Sequence, residues 1–258
     1  MKSCKFLLGI CIIVAVLFSC KKENEGNGNE TEEKVYLPKR IYGTTVSGKA
    51  WSGEFEFDAQ KRLTKFTAPH KDVVMEVSYP TGTSYLIKFH YVNSEQFWRQ
   101  EEATVNGNTM QVVEKTYNDA GVQENSSEST FTLENNRAVK EEFSGRTVLY
   151  TYDAAGNLIE ETEDGEGRTC KYDTHKGILG NVQTPQWIMW DMDTDEIEFF
   201  YYFVNNVVEI TLPAEKDNKI LKYQYSYNAD DYPVSIVYTE HDADGMEKSR
   251  EQATIEYY

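Results

Sequence analysis

The side chain best suited to covalent chemistry in this sequence is the thiol of Cys20. It follows a run of apolar residues over positions 6–18, and Lys2 and Lys5 flank the start of that run. A short basic start, a short apolar segment and a small residue before a cleavage point are typical of an export signal. The thirteen residues of the apolar run fall short of the ~20 that a membrane-spanning helix needs. The sequence therefore predicts export, with cleavage next to Cys20.

The segment Leu17-Phe18-Ser19-Cys20 resembles the lipobox of bacterial lipoproteins, in which the cysteine is acylated and becomes the new N-terminus. This resemblance implies a signal peptide over 1–19 and a lipid attached to Cys20. The alternatives are an ordinary secretory signal in which Cys20 is accidental, or a true membrane helix. Cleavage would leave Cys170 as the only unmodified thiol, so the mature domain can form no intramolecular disulfide.

The segment after Cys20 is predicted to be a flexible tether over 20–34. Residues 21–33 include no apolar side chain, so this segment cannot bury surface against a domain. Its basic pair followed by acidic residues resembles the export signal of Bacteroidota-type lipoproteins, although a generic solvated linker is the alternative. The resemblance implies a lipid-anchored protein of the outer membrane, exposed on the cell surface.

Four aromatic residues between 187 and 203 form the second candidate site. The rings of Trp187, Trp190, Tyr201 and Tyr202 could make a stacking platform for sugars. The same rings could instead fill the concave side of a curved sheet. Exposure decides between these alternatives, because a platform needs two or more coplanar rings open to solvent.

Other candidate chemistry is weak. Asp191, Asp193 and Asp195 match the first half of a calcium loop, but Glu196 stands where that loop needs glycine and Tyr202 where it needs glutamate. The four histidines are scattered, and no nucleophile elbow or phosphate-binding glycine loop occurs. We therefore predict no catalytic residue, no metal site, no cofactor and no enzymatic activity.

The charge of the chain restricts its partners. The 26 basic and 43 acidic residues give a net charge of -17, which repels nucleic acid. The expected partners are the membrane, through the lipid, and a glycan or a protein.

The elements that would position these residues are strands. Tyr85, Ile87 and Phe89 fall on one face of a strand, with Lys88 and His90 on the other. Leu221 and Tyr223 alternate with polar residues in the same way, and this period of two is typical of β-strands with one buried face. The short connections between such segments predict antiparallel pairing.

A repeat organises these strands into hairpins. Residues 152–158 (YDAAGNL) align with 57–63 and 172–178, and further copies begin at Tyr117, Leu133 and Tyr227. In the copies other than the one at Leu133, an aromatic residue ends a strand and Asp or Asn starts the turn. A glycine such as Gly156 then supplies a positive φ. Lys61 and Asp231 replace this glycine in two copies, so those turns should be strained or differently built.

Residues 150–160 resemble the YD repeat of Rhs and teneurin-type proteins. Together with the lipobox and the tether, residues 35–258 resemble a family of uncharacterised Bacteroidota outer-membrane lipoproteins. Rhs repeats wind into a closed shell, but the hairpins here were expected to be too few for closure. The predicted fold is one all-β domain over 35–258, an antiparallel meander of hairpins forming a large curved sheet or half-barrel. The predicted function is a non-enzymatic, surface-anchored lipoprotein with a structural or interaction role. The alternative is a glycan-binding lipoprotein of a polysaccharide-capture system that uses the aromatic insertion 187–203.

Overall fold

Antiparallel strands form nearly all the regular structure in the computed structural model, which describes residues 34–189, 204–213 and 218–258. The strands are β1 Pro38–Thr44, β2 Ala50–Phe57, β3 Leu63–Ala68, β4 Val73–Thr81, β5 Ser84–His90, β6 Phe97–Asn106, β7 Thr109–Tyr117, β8 Gln123–Glu134, β9 Arg137–Phe143, β10 Arg146–Tyr152, β11 Leu158–Glu163, β12 Glu166–Tyr172, β13 Val207–Thr211, β14 Ile220–Tyr227, β15 Pro233–His241 and β16 Glu247–Tyr257. A short helix, α1 Gln186–Met189, lies between β12 and β13, and one 3-10 turn, Pro69–Lys71, joins β3 to β4.

The strands follow one another as a meander that closes into a barrel. β1 pairs with β16 from Arg40↔Glu256 to Thr44↔Gln252, so neither strand is left as an edge. The all-β antiparallel prediction is confirmed, whereas the open curved sheet or half-barrel is wrong. Closure satisfies the backbone groups that two open edges would leave unpaired.

The wall has an apolar inner face and a polar outer face. Inward positions include Ile41, Phe55 and Met110, each at most 1% exposed. On the outer face, Lys171 Nζ lies 2.7 Å from Glu209 Oε1 and Lys115 Nζ lies 2.8 Å from Glu102 Oε1. The strand alternation read from the sequence therefore separates a packed interior from a surface that faces water.

The repeated hairpins share one turn design, seen most simply after Tyr152. The Asp153 carboxylate accepts the backbone N–H groups of Gly156 at 2.7 Å and Asn157 at 2.8 Å. The Asp153 N–H donates to the Asn157 carbonyl at 2.9 Å. The same backbone bond closes the turns that begin at Asp58, Asn118, Asn228 and Asp242. The predicted role of Asp or Asn as the turn-starting residue is thus confirmed.

Two copies keep this turn without glycine. Lys61 has φ of 62° and Asp231 has φ of 71°, while Gly156 has φ of 101° at the matching position. Lys61 and Asp231 donate to the carbonyls of Asp58 and Asn228, as Gly156 does to that of Asp153. Of the two expectations, strain is therefore right and a different construction is wrong, since left-handed backbone disfavours a residue with a Cβ.

Tyrosine hydroxyl groups stabilise the strand that follows a turn. The register shifts by one residue between Thr151 and Tyr152, which pairs with Leu158, and such a bulge disrupts the ladder locally. The Tyr172 hydroxyl donates to the Leu158 carbonyl at 2.6 Å. The same bond links Tyr79 to Leu63, Tyr225 to Val207 and Tyr257 to Pro233. Burial raises the pKa of the Tyr79 hydroxyl to about 12.

The copy predicted to begin at Leu133 is built differently. β8 and β9 are joined by Asn135 and Asn136 alone, with φ of 51° and 63°. Positive φ at both central residues is typical of a type I′ turn, for which asparagine is well suited. The YD-type interpretation of this hairpin is therefore wrong, because two residues leave no space for the Asp-closed turn.

Candidate functional site

The turn after Tyr172 is split by a long insertion. The Asp173 N–H donates to the Asn206 carbonyl at 3.0 Å, and the Asp173 carboxylate accepts the His175 N–H at 3.0 Å and the Asn206 N–H at 3.1 Å. Asn206 thus occupies the position that Asn157 holds in the uninterrupted turn. The prediction that 172–178 is an intact copy is wrong, because the next strand begins at Val207 rather than at Ile178.

Residues 174–205 therefore form an insertion within one turn, which is longer than the aromatic insertion 187–203 named from the sequence. Its two ends are tied together where they leave the barrel. The Asn205 side-chain amide donates to the His175 carbonyl at 2.7 Å, and the Asn157 amide donates to the Asn205 side chain at 3.0 Å. The intact turn at Asp153 thereby braces the base of the insertion.

The insertion packs over the turns at one end of the barrel and enters the interior. The Gln183 N–H donates to the Lys61 carbonyl at 2.9 Å. The Thr184 hydroxyl accepts the Leu63 N–H at 2.6 Å, and Thr184 is 5% exposed. Beyond this point Ile188 and Met189 are fully buried within the core of the barrel. The described part of the insertion thus contributes to the core.

Trp187 is the one member of the predicted aromatic platform that lies within the described residues. It is 6% exposed, and its ring meets Tyr85 edge-on with centroids 5.2 Å apart. The core-filling alternative therefore describes Trp187. Trp190, Tyr201 and Tyr202 lie outside the described residues, so the platform remains a prediction for those three.

Two other predicted features also lie outside the described residues: Cys20, with its lipid, and the aspartates at 191, 193 and 195. Within the described ranges, no group of His, Cys, Asp and Glu side chains is arranged to hold a metal ion. The Cys170 thiol is buried on β12, and the residue is 6% exposed.

A cavity lies against the inner face of β6, β7, β8 and β9, and we call it the inner cavity. It has a volume of about 410 Å³ and is bordered by Trp187 of α1. Its deepest lining residues are Glu101, Phe131 and Trp187, which are 4%, 7% and 6% exposed. Ser127 and Ser144 at its mouth are exposed. The inner cavity therefore runs from solvent to the buried indole of the insertion.

Charged side chains line much of the inner cavity. Arg99 forms an ion pair with Glu101, and its Nε lies 2.8 Å from Glu114 Oε2. The Tyr150 hydroxyl donates to Glu141 Oε2 at 2.9 Å. Burial, together with the nearby Glu141 carboxylate, raises the pKa of Tyr150 above its usual value. Tyr150 therefore stays protonated and acts as a hydrogen-bond donor.

A second cluster of side chains lies at the base of the insertion, around His175. His175 Nδ1 lies 2.6 Å from Asp231 Oδ1, and its ring stacks on Tyr227 with centroids 4.0 Å apart. The Tyr227 hydroxyl donates to the Asp173 carboxylate. The hydrogen bond to Asp231 raises the pKa of His175. This cluster links the split turn to the turn between β14 and β15.

Of the residues that line the inner cavity, sequence reasoning singled out only Trp187 as a candidate site residue. The sequence held one usable signal, since charged residues stand at alternating positions of β6 that face the interior. Arg99 and Glu101 share these inward positions with Ala103, which is 2% exposed. Charged residues are almost never fully buried unless they are paired. An inward Arg–Glu pair therefore marks a polar part of an otherwise apolar interior.

No helix in the described part of the chain combines the length and the apolar character needed to cross a membrane.

Comparisons with known proteins support the repeat. Residues 135–169, which run from the β8–β9 turn into β12, match the RHS Repeat family. This match confirms the YD-type repeat over that segment. No curated protein sequence matches the chain.

Two solved structures resemble the barrel. One is a porin-like protein from Bacteroides uniformis, with 14% identity, a TM-score of 0.48, and coverage of 86% of this chain and 96% of that chain. The other is a porin-like protein from Bacteroides vulgatus, with 12% identity, a TM-score of 0.40, and coverage of 87% of this chain and 99% of that chain.

Proposed function

We propose that this protein is a lipid-anchored, non-enzymatic lipoprotein of the outer membrane, exposed on the cell surface, with a structural or interaction role. The observation that carries the proposal is the polarity of the barrel wall. Mid-strand positions on the outer face hold ion pairs such as Lys171 with Glu209, while the inner face is packed with apolar side chains. This domain has the surface of a protein that works in water.

The polarity of the wall bears on how the protein would be attached. A barrel that spans a bilayer presents an apolar band to lipid, and one Lys or Arg on that band costs about 2–4 kcal/mol at the midplane. Lys115 and Lys171 both project from the outer face next to carboxylates. We therefore place the barrel outside the bilayer, which makes the lipid on Cys20 the means of attachment.

Replacing the anchoring thiol tests this proposal. We expect Cys20→Ala to move the protein from the membrane pellet to the soluble fraction and to abolish incorporation of labelled fatty acid. Cys170→Ala is the matched control, since its thiol is buried in the barrel and its loss should leave both readouts unchanged. Retention of Cys20→Ala in the pellet would show that the anchor is not the lipid.

Surface exposure needs a separate experiment. Protease added to intact cells should degrade the wild-type domain, and the same treatment should leave a periplasmic marker intact. Full protection of the domain, with degradation only after the outer membrane is opened, would place it on the periplasmic side.

Glycan binding is a second candidate function, favoured by one observation. Trp187 borders the inner cavity together with carboxylates and the hydroxyl groups of Ser127 and Ser129. An aromatic face combined with such polar groups is suited to a sugar, whose ring has apolar and hydroxyl-bearing sides.

Affinity electrophoresis in gels that contain polysaccharide tests this candidate. The polysaccharide should retard the wild-type protein, and it should retard the Trp187→Phe variant less. The Trp190→Ala variant tests the other predicted tryptophan in the same way. No retardation of the wild type on any polysaccharide would contradict glycan binding, and equal retardation of all three proteins would contradict binding at the two tryptophans.

A further inference from the structure

We propose that the inner cavity binds a small organic cation, with an amine held among its carboxylates and an apolar body against its aromatic floor. This inference deepens the proposed interaction role by naming a ligand class, and it rests on that role. The volume of about 410 Å³ falls within the range of small-molecule pockets, roughly 300–1,000 Å³. The cavity is therefore large enough for a small organic ligand.

The charge of the lining selects the sign of the ligand. The described lining residues include four glutamates and one basic residue, Arg99; the glutamates are Glu101, Glu114, Glu128 and Glu141. Arg99 already pairs with Glu101 and Glu114. The cavity thus has an excess of negative charge, and a recess with low-dielectric walls concentrates the resulting field. An anion is repelled, and a cation is attracted.

The floor of the cavity selects the body of the ligand. Phe131 and Trp187 are buried at its deep end, and Phe143 lies nearer the mouth. Aromatic faces attract cations through the ring quadrupole, most strongly for tryptophan and in desolvated positions. The same rings offer apolar contact to a hydrocarbon body. The combination suits an amine joined to a ring or to a short apolar chain.

Only carboxylates on the inner face of the barrel can contact a ligand in the cavity. Glu141 lines the cavity, whereas its neighbour Glu142 is exposed on the outer face and pairs with Lys140 at 2.8 Å. The two residues have the same chemistry and adjacent positions in β9, but only Glu141 would act on a ligand in the cavity. They form a matched pair for mutation.

The test uses benzylamine as the probe and benzyl alcohol as its nearly isosteric neutral control, with binding measured by calorimetry and by NMR shifts of the Trp187 indole. Benzylamine should bind about tenfold or more tightly than benzyl alcohol at low salt, since a desolvated cation–π contact and the nearby carboxylates act on the amine alone. Raising the ionic strength should weaken the binding of benzylamine only.

Variants locate the binding. Glu141→Gln should weaken benzylamine binding about three- to tenfold while it keeps an acceptor for the Tyr150 hydroxyl. Glu142→Gln should leave the affinity unchanged. Trp187→Phe should weaken binding of both probes, and the thermal transition of each variant shows whether the barrel is still folded.

Three results would overturn the inference: no binding of benzylamine, equal affinity for benzylamine and benzyl alcohol, or equal effects of Glu141→Gln and Glu142→Gln. Methyl glucoside serves as a third probe in the same binding experiment. Tighter binding of this neutral sugar than of benzylamine would also overturn the inference and would favour glycan binding. None of these results affects the Cys20→Ala fractionation, so failure of the ligand class and failure of the anchored interaction role are distinguishable.

Discussion

The turns that begin at Asp153 and Asp173 use the same hydrogen bonds over very different lengths of chain. Asp153 and Asn157 enclose residues 154–156, whereas Asp173 and Asn206 enclose residues 174–205. Loop closure costs about 0.6 kcal/mol for each doubling of length, so the longer loop costs about 2 kcal/mol more to close. The comparison shows that a turn motif tolerates a large insertion when other contacts offset that cost.

Those contacts are visible at the split turn and within the barrel. Asp173 accepts a hydrogen bond from the Tyr227 hydroxyl in addition to those from His175 and Asn206. The insertion also buries Trp187 and Ile188 against the wall. The hydrogen bonds that Asp153 accepts come from Gly156 and Asn157, whereas Asp173 also accepts hydrogen bonds from residues that are distant in the chain.

The largest expected effect comes from removing the indole that the insertion places in the barrel. Trp187→Ala should lower the free energy of unfolding by about 3–5 kcal/mol, because it leaves a cavity among packed side chains. Tyr91→Ala is the control, since Tyr91 is 47% exposed, and it should change stability by about 0.5 kcal/mol or less. Denaturant unfolding measures both. A loss below about 1 kcal/mol for Trp187→Ala would mean that the insertion does not support the core.

The second-largest effect is the loss of stability when Asp173 is replaced, compared with the loss when Asp153 is replaced. Asp173→Ala should destabilise the protein by about 2–4 kcal/mol, because it leaves partly buried donors of His175, Asn206 and Tyr227 without their acceptor and unties two distant segments. Asp153→Ala should cost about 1–2 kcal/mol, because its lost hydrogen bonds all lie within one short turn. Thermal or denaturant unfolding of the two variants gives the comparison. Equal losses would contradict a special dependence of the split turn on Asp173.

A smaller effect concerns the position that normally holds glycine. Lys61→Gly should stabilise the barrel by about 0.5–1 kcal/mol, because glycine adopts a φ of 62° without the steric cost of a Cβ. Gly156→Ala should destabilise by about 1–2 kcal/mol, and its new Cβ would also overlap the Arg137 guanidinium. If both substitutions moved stability in the same direction, strain at Lys61 would not be the explanation.

The smallest effect is the pH dependence of the contact between His175 and Asp231. The hydrogen bond to Asp231 raises the pKa of His175 in the folded state. The stabilisation is therefore fully present below the unfolded-state pKa of about 6.5, and it is lost as the pH rises through the higher folded-state pKa. An NMR titration of the His175 ring should give a pKa above 6.5, and Asp231→Asn should lower it. Asparagine tolerates the left-handed backbone at this position, so an unchanged pKa in that variant would show that Asp231 is not the cause.

The turn chemistry was largely readable from the sequence. An aromatic residue followed by Asp or Asn identified the turns at Asp58, Asn118, Asp153 and Asn228, because their hydrogen bonds join residues at most four positions apart. The copy at Leu133 was misread, since two asparagines with positive φ make a shorter turn. The copy at Asp173 was misread because its true partner, Asn206, is distant in the chain.

The inner cavity was less accessible to sequence reasoning. Its lining residues come from four strands and from the insertion, and only their register brings them together. Glu101 and Glu141 are far apart in sequence, yet both line the same cavity as Trp187. Strand alternation predicts that each faces inward, but it does not predict which inward residues meet.

The strands, their polar and apolar faces and most of the local turns follow from the order of the residues alone, because these features depend on the period of two and on contacts within a few residues. Three features appear only in the folded barrel: β1 pairs with β16, the turn after Tyr172 closes at Asn206, and Trp187 lies within the barrel. Each of these depends on contacts between distant segments, where closing the last pair of edges and filling the interior offset the entropy of ordering the chain.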